Sequence, residues 1–120
     1  MKAIAVYGSL KKGFYNHSIL QGVSEFLGEG VEKGFELYSL GAYPCAVNTG
    51  RKEDKIQVEY YLVDEKTFAR LDGMERAAGY QREDLGERGI MWVFSFPPPN
   101  KMPISPDKDG VASWKGNKWN

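Results

Sequence analysis

Cysteine and histidine are nearly missing from this sequence. Its 120 residues include one cysteine, Cys45, and one histidine, His17. A single cysteine excludes an intramolecular disulfide and is typical of a reducing compartment. One Cys and one His also cannot supply the ligands of a usual zinc site, and no phosphate-loop or dinucleotide-binding glycine motif is present. We therefore expect no metal ion and no organic cofactor.

Long apolar runs and an excess of charge are missing as well. No stretch approaches the roughly 18 apolar residues of a membrane-spanning helix, and the N-terminal run MKAIAVYGSL is too short for a signal-peptide core. Sixteen basic residues balance sixteen acidic ones, so no overall field attracts nucleic acid or an anionic membrane. We expect a cytoplasmic protein without nucleic-acid or membrane partners, either a monomer or a weak homodimer.

The apolar segments predict a single α+β domain over residues 1–115. Strands are predicted at residues 1–7, 31–40, 56–63 and 90–96, with a further extended piece at 80–82. Because strands outnumber helices, we expect a small mixed or antiparallel sheet, partly closed into a barrel, with two short helices. Residues 100–120 are expected to form an irregular tail that packs on the domain through Trp114 and Trp119.

Two segments carry the signals of a helix start. One helix is predicted to begin at Asn16 and to end at the glycines 28 and 30, because its apolar residues share one stripe: Ile19, Leu20, Val23 and Leu27. The other is predicted to be capped by Asp64 and to present Phe68, Leu71 and Met74. Glu75 would lie one turn after Leu71, near the end of this second helix.

Three sets of residues are candidates for chemistry. The first is the strand end Tyr7-Gly8-Ser9-Leu10, where glycine allows a close approach of the backbone and free N–H groups can bind an anion. Alone, such a strand end is more often an ordinary turn. The second is Glu75, whose apolar neighbours could raise its pKa and make it a proton carrier. The plainer interpretation of Glu75 is a solvated glutamate paired with Arg76 or Arg82.

The third candidate is a nucleophile–base pair of Cys45 and His17. Cys45 lies in the apolar segment Tyr43-Pro44-Cys45-Ala46-Val47, which is typical of a buried structural cysteine. A Cys-dependent amidase therefore remains the least favoured hypothesis.

Taken together, the motifs resemble the γ-glutamyl cyclotransferase-like family, in particular its short γ-glutamylamine cyclotransferase or AIG2-like branch. The resemblance covers roughly the first 115 residues, and the motifs stand in the family's order. They are Val6-Tyr7-Gly8-Ser9-Leu10-Lys11-Lys12-Gly13, residues 37–44, Val58-Glu59-Tyr60-Tyr61, Leu71-Asp72-Gly73-Met74-Glu75 with Tyr80-x-Arg82, residues 91–94, and Ser113-Trp114. The chain departs from the pattern at Val58, where the family usually has glycine, at residues 77–79 and at the proline run 97–99.

The resemblance implies a cofactor-independent lyase or acyltransferase. Its substrate would be a small γ-glutamyl amide whose own amine attacks the γ-carbonyl, releasing 5-oxoproline. By the same resemblance, Glu75 is the general acid/base, and the substrate-binding residues are Tyr7, Gly8, Ser9, Leu10, Tyr43 and Tyr80. Arg82 would be structural. A different acyl amide as substrate, or a binding or regulatory protein that has kept only the fold, are the alternatives.

Overall fold

A computed structural model describes residues 1–116 of the chain. Within this range it has eight strands and one α-helix. The strands are β1 (Lys2–Val6), β2 (Ser24–Lys33), β3 (Phe35–Ser39), β4 (Pro44–Asn48), β5 (Lys55–Val63), β6 (Gln81–Asp84), β7 (Ile90–Val93) and β8 (Val111–Ala112), and the helix is α1 (Glu65–Ala77). The predicted α+β class is therefore confirmed.

The main sheet has the order β2-β5-β1-β7-β6, with β8 added beside β5, and β3 pairs with β4 in a second sheet. Strand β1 lies inside the main sheet, antiparallel to β5 and parallel to β7. A strand covered on both faces needs a continuous apolar run. Accordingly, Ile4 and Val6 pack in one buried cluster with the helix residue Leu71, whereas Ala5 and Tyr7 pack in a second cluster.

The partly closed barrel expected from the sequence is not confirmed. Within residues 1–116, β2 and β6 form the two ends of the main sheet and do not pair with each other. The nearest approach to closure is a single bridge between Val47 of β4 and Phe94, which follows β7. The fold is thus an open mixed sheet with a small second sheet beside it.

The helix predicted from Asn16 to Leu27 is wrong. Only a 3-10 turn at His17–Ile19 follows Asn16, and strand β2 begins at Ser24. Gly22 has a positive φ of 78°, which ends the helical path. The presumed apolar stripe also splits, because Leu20 is buried whereas Val23 and Leu27 are 44% and 50% exposed. Residues 1–116 therefore contain one α-helix where the sequence predicted two.

The second predicted helix is confirmed, and it carries the candidate acid/base. Its N-cap is Asp64, whose carboxylate accepts the backbone N–H of Thr67 at 2.7 Å. Phe68 and Leu71 are buried against the sheet. At the other end, Tyr80 N donates to Glu75 O at 3.0 Å, which turns the chain from the helix into β6. Glu75 is therefore held in the last turn of α1.

The C-terminal segment packs on the domain as far as the structure describes it. Strand β8 runs parallel to β5, and Trp114 is buried. The tail is thus not wholly irregular before residue 116, whereas Trp119, the other expected anchor, lies outside the described residues. The division at residues 100 and 115 stays a prediction. Across residues 1–116, no helix has both the length and the apolarity to cross a membrane.

Candidate active site

A cavity of about 210 Å³ opens where β1 ends, between the loop after β1, the start of β4 and the last turn of α1. It brings together all seven residues that the sequence singled out for the site: Tyr7, Gly8, Ser9, Leu10, Tyr43, Glu75 and Tyr80. The remaining lining residues were not predicted: Ala5, Val6, Asn16, Pro44, Met74, Ala78 and Trp92. Segments distant in sequence thus meet at one small pocket.

Glu75 is a half-buried carboxyl group that has no charge partner among the described residues. Burial raises its pKa from 4.5 to about 7, because an ionised carboxylate loses hydration in the pocket. Within residues 1–116 its carboxyl group makes no hydrogen bond and no ion pair. A carboxyl group with this pKa exchanges a proton readily at neutral pH.

The two arginines that could have neutralised Glu75 pair with Asp72 instead. Arg82 forms a bidentate pair with Asp72 at 2.9 and 2.8 Å, and Arg76 Nε lies 3.5 Å from the same carboxylate. Trp92 Nε1 donates a further hydrogen bond at 3.0 Å. The Arg82 hydrogen bonds above all hold the pKa of Asp72 well below its usual range. These contacts argue against a solvated Glu75 paired with Arg76 or Arg82, and Arg82 is not among the residues that line the cavity.

Tyr7 and Tyr80 line the cavity near Glu75, and the hydroxyl group of each is hydrogen-bonded to the backbone. Tyr7 OH donates to Trp92 O at 2.7 Å and accepts from Ala46 N at 2.9 Å. Tyr80 OH donates to Pro44 O at 2.6 Å. Burial first, and the nearby Glu75 charge as a lesser cause, raise the pKa of both phenols. Both therefore stay neutral at physiological pH and serve as rigid walls.

The turn Gly8–Lys11 presents unused backbone donors beside the cavity. Lys11 N donates to Gly8 O at 3.0 Å and so closes the turn. In the described part of the chain, the N–H groups of Gly8, Ser9 and Leu10 donate to no protein acceptor. Consecutive free N–H groups form a concave site for a carboxylate or an oxyanion.

Cys45 and His17 are not brought together as a catalytic pair. Cys45 is fully buried, and burial raises the pKa of its thiol to about 11, so little thiolate forms at neutral pH. The ring of His17 instead bonds Leu10 O through Nδ1 at 2.8 Å and packs against Tyr61. Among the described residues, no group of three His, Cys, Asp or Glu side chains could hold a metal ion.

Known proteins are similar to this sequence over most of its length. Residues 4–119 match the family model described as gamma-glutamyl cyclotransferase, AIG2-like. The chain belongs to that family. A protein of Pyrococcus horikoshii provisionally named gamma-glutamylcyclotransferase is 35% identical over 111 residues, which cover 90% of this chain and 91% of the relative.

Solved structures agree with the family assignment. A crystal structure of an uncharacterized protein from Pyrococcus horikoshii aligns with a TM-score of 0.72 and 36% identity, covering 87% of this chain and 86% of that one. The crystal structure of an AIG2-like protein from Mus musculus aligns with a TM-score of 0.69 and 26% identity, covering 82% and 80%. The resemblance that the sequence motifs indicated is thus confirmed at the level of family and fold.

The raised pKa of Glu75 predicts a pH-dependent stability difference. Because the folded-state pKa is about 7 against an ordinary 4.5, the folded protein binds more protons than the unfolded chain between these values. Stability due to this group is therefore full below about pH 4.5 and is lost as the pH rises through about 7. We expect Glu75→Gln to match the wild type at about pH 4 and to be more stable than the wild type by about 2–3 kcal/mol at about pH 8. Denaturant unfolding at both pH values measures this, and an offset independent of pH would contradict it.

Proposed function

We propose that this protein is a cofactor-independent cyclotransferase that releases 5-oxoproline from a γ-glutamyl amide, with Glu75 as the general acid/base. The observation that carries the proposal is the Glu75 carboxyl group, which has a pKa of about 7 and no partner within residues 1–116. Its cavity is also lined by Gly8, Ser9 and Leu10, whose N–H groups have no acceptor in the same range. Family membership supports the general type of reaction. We further propose that the enzyme is cytoplasmic and acts on a small molecule. It would be a monomer or a weak homodimer, without nucleic-acid or membrane partners.

The proposed reaction is an intramolecular aminolysis. The substrate's α-amine nitrogen forms a bond to its own γ-carbonyl carbon, and the bond from that carbon to the amide nitrogen breaks. Attacker and target belong to one molecule, so the pocket's main task is to fold the substrate. Once the α-amine is in its neutral form, one proton must leave the attacking nitrogen and one must reach the departing nitrogen. Ionised Glu75 takes the first and, once protonated, supplies the second, so a single carboxyl group serves both steps.

The turn after β1 supplies the complementary charge. The N–H groups of Gly8, Ser9 and Leu10 would hold either the substrate's α-carboxylate or the oxyanion that develops on the γ-carbonyl oxygen. Tyr7 and Tyr80 wall the pocket behind the reacting atoms, and Tyr43, which is 46% exposed, lies at the rim. No step requires a metal ion or an organic cofactor.

The charges of the pocket predict the kind of amine that leaves. Within residues 1–116 the cavity lining contains no lysine, arginine or histidine, and its only carboxyl side chain is Glu75. A second carboxylate on the leaving group would find no cation and would be repelled by ionised Glu75. We expect kcat/KM for γ-glutamyl-n-butylamide to exceed that for γ-glutamyl-norvaline by about tenfold or more, a preference of about 1.4 kcal/mol.

These two compounds form a matched pair, since they differ only in the carboxylate beside the departing nitrogen. Initial rates of 5-oxoproline formation for each give the ratio directly. Equal values of kcat/KM, or a preference for the norvaline compound, would contradict the prediction and would point to a cation that reaches the leaving group from outside the cavity lining.

The experiment that tests the function itself is a panel of γ-glutamylamines and γ-glutamyl dipeptides incubated with pure protein. Detection of 5-oxoproline by mass spectrometry, together with the released amine in equal amount, would establish the reaction. The absence of 5-oxoproline with every member of the panel, while calorimetry still shows binding, would refute the cyclotransferase proposal and favour a protein that binds such compounds without converting them.

A further inference from the structure

Two sets of hydrogen bonds hold the loop that follows β1. One set comes from Asn16 and His17, and the other joins the loop to strand β5. On one side, Asn16 N donates to Ser9 O at 2.9 Å, and His17 Nδ1 donates to Leu10 O at 2.8 Å. Asn16 Nδ2 also donates to Ser9 Oγ at 3.0 Å. A carbonyl and the N–H of the next residue share one rigid peptide plane. Ser9 O is fixed by Asn16 N, and Gly8 O is fixed by Lys11 N at 3.0 Å. These two bonds therefore fix the directions of the Leu10 and Ser9 N–H groups.

On its other side, the loop is tied to strand β5 by two successive lysines. Lys11 is buried, and its Nζ donates to Gln57 Oε1 at 2.8 Å and to Trp114 O at 3.1 Å. The backbone N–H of Lys12 donates to Glu59 Oε1 at 3.0 Å. Lys11 is also the residue whose own N–H closes the turn on Gly8. Strand β5 thus holds the chain immediately after the free donors.

Glu59 is a buried glutamate, and a buried carboxylate is costly unless its oxygens are hydrogen-bonded. It is only 5% exposed and lies opposite Val6, the last residue of β1. Its Oε1 accepts both Lys12 N and Tyr61 OH, the latter at 2.7 Å. The Glu59 carboxylate thus joins the hydroxyl group of Tyr61 to the backbone N–H of Lys12 in the loop. Glu59 itself does not line the cavity.

We infer that Glu59 is a positioning residue, which holds the Gly8–Lys11 turn so that its free N–H groups stay directed for an anionic group of the substrate. The catalytic part of this inference rests on the proposed function, whereas the effect on the turn does not. Glu59 acts at one remove, since it touches the Lys11–Lys12 peptide and not the reacting atoms. A preorganised donor set costs no reorganisation when charge develops on the substrate.

The direct test measures the backbone order of the turn without any substrate. In 15N relaxation experiments on the wild type, we expect order parameters of about 0.85 for the amides of Gly8, Ser9 and Leu10. In Glu59→Leu we expect the order parameters of the same amides to fall below about 0.6. Glu59→Gln should keep the wild-type values, because its Oε1 can still accept both hydrogen bonds. Glu59→Asp, whose side chain is shorter, should loosen the same three amides and serves where the leucine variant does not fold.

The chain offers a matched control in Glu32, another buried carboxylate bonded by a tyrosine. Glu32 is 3% exposed and accepts hydrogen bonds from Tyr60 and Arg88, neither of which bonds to the Gly8–Lys11 turn within the described residues. Glu32→Leu should lower overall stability without loosening the amides of residues 8–10. Equal loosening in Glu32→Leu would overturn the inference, because the effect would then follow from destabilisation in general.

The kinetic test separates this inference from the function on which it builds. We expect kcat/KM for a γ-glutamylamine to fall roughly tenfold to a hundredfold in Glu59→Leu and to stay within about threefold of wild type in Glu59→Gln. Amides that remain rigid in both Glu59→Leu and Glu59→Asp would overturn the positioning role. Loosened amides in a protein whose wild type makes no 5-oxoproline would support the positioning of the turn and refute the proposed reaction.

Discussion

Replacing Glu75 by glutamine is expected to lower kcat for 5-oxoproline formation by about 10²–10⁴-fold while changing substrate affinity only a few fold. Glutamine keeps the shape and polarity of the side chain, so the cavity should still fold the substrate. It cannot take the proton of the attacking amine or return one to the departing nitrogen. Single-turnover rates, followed by mass spectrometry, and dissociation constants from calorimetry measure the two effects separately.

The pH profile provides an independent check of the same residue. Ionised Glu75 is the form that accepts the proton, so wild-type kcat/KM should fall as the pH drops below the pKa of about 7. Glu65→Gln, a change in the exposed first turn of the same helix, should leave both kcat and the profile unchanged. Wild-type turnover in Glu75→Gln would remove this residue from the mechanism and leave the cyclotransferase reaction without its proton carrier.

Local signals made the second helix and its carboxyl group predictable. Asp64 is a cap whose effect reaches only to Thr67, and the spacing of Phe68 and Leu71 indicates one buried face. Strand β5 was similarly clear, because Tyr60, Tyr61 and Val63 favour extended backbone in an uninterrupted run. Secondary structure that depends on residues close together in the chain can therefore be predicted from the sequence alone.

The segment after Asn16 shows where local signals fail. Its apolar residues have helical spacing, yet β2 forms because pairing with β5 along most of both strands outweighs that preference. The pairing even accommodates an irregularity between Phe26 and Gly28. A single sequence does not show such long-range pairing. Gly28, which was predicted to end a helix, therefore lies within strand β2.

Sequence patterns likewise could not predict which carboxyl group of the site pairs with the arginines. Arg76 is adjacent to Glu75 in sequence and was an obvious partner, but Asp72, one turn earlier, takes both Arg76 and Arg82. Trp92 reaches the same carboxylate from β7 across the core. Two carboxyl groups on one helix therefore end in opposite states, one held ionised by its partners and the other raised in pKa by burial. The difference arises from contacts across about ten to twenty residues of chain, which only the fold brings together.

Replacing Gly8 by alanine is the second change with a large expected effect. A Cβ atom at this position would lie 2.7 and 2.8 Å from Pro44 Cγ and Cδ, which is closer than carbon atoms pack. The proline ring is rigid and Pro44 O already binds Tyr80 OH, so the turn must move rather than the proline. Because a displacement of about 1 Å can cost on the order of 10²-fold in rate, we expect kcat/KM to fall by that order, with a loss of about 1–3 kcal/mol in the free energy of unfolding.

Gly73→Ala is the matched control for this prediction, since a Cβ there meets no atom within 4 Å and the residue lies inside helix α1. Alanine at position 73 should raise the free energy of unfolding by roughly 0.5–1 kcal/mol and leave kcat/KM unchanged. Steady-state kinetics and denaturant unfolding of both variants make the comparison. Full activity in Gly8→Ala would mean that the close contact with Pro44 can relax without moving the donors, and that the N–H groups of the turn do not need their present positions for the reaction.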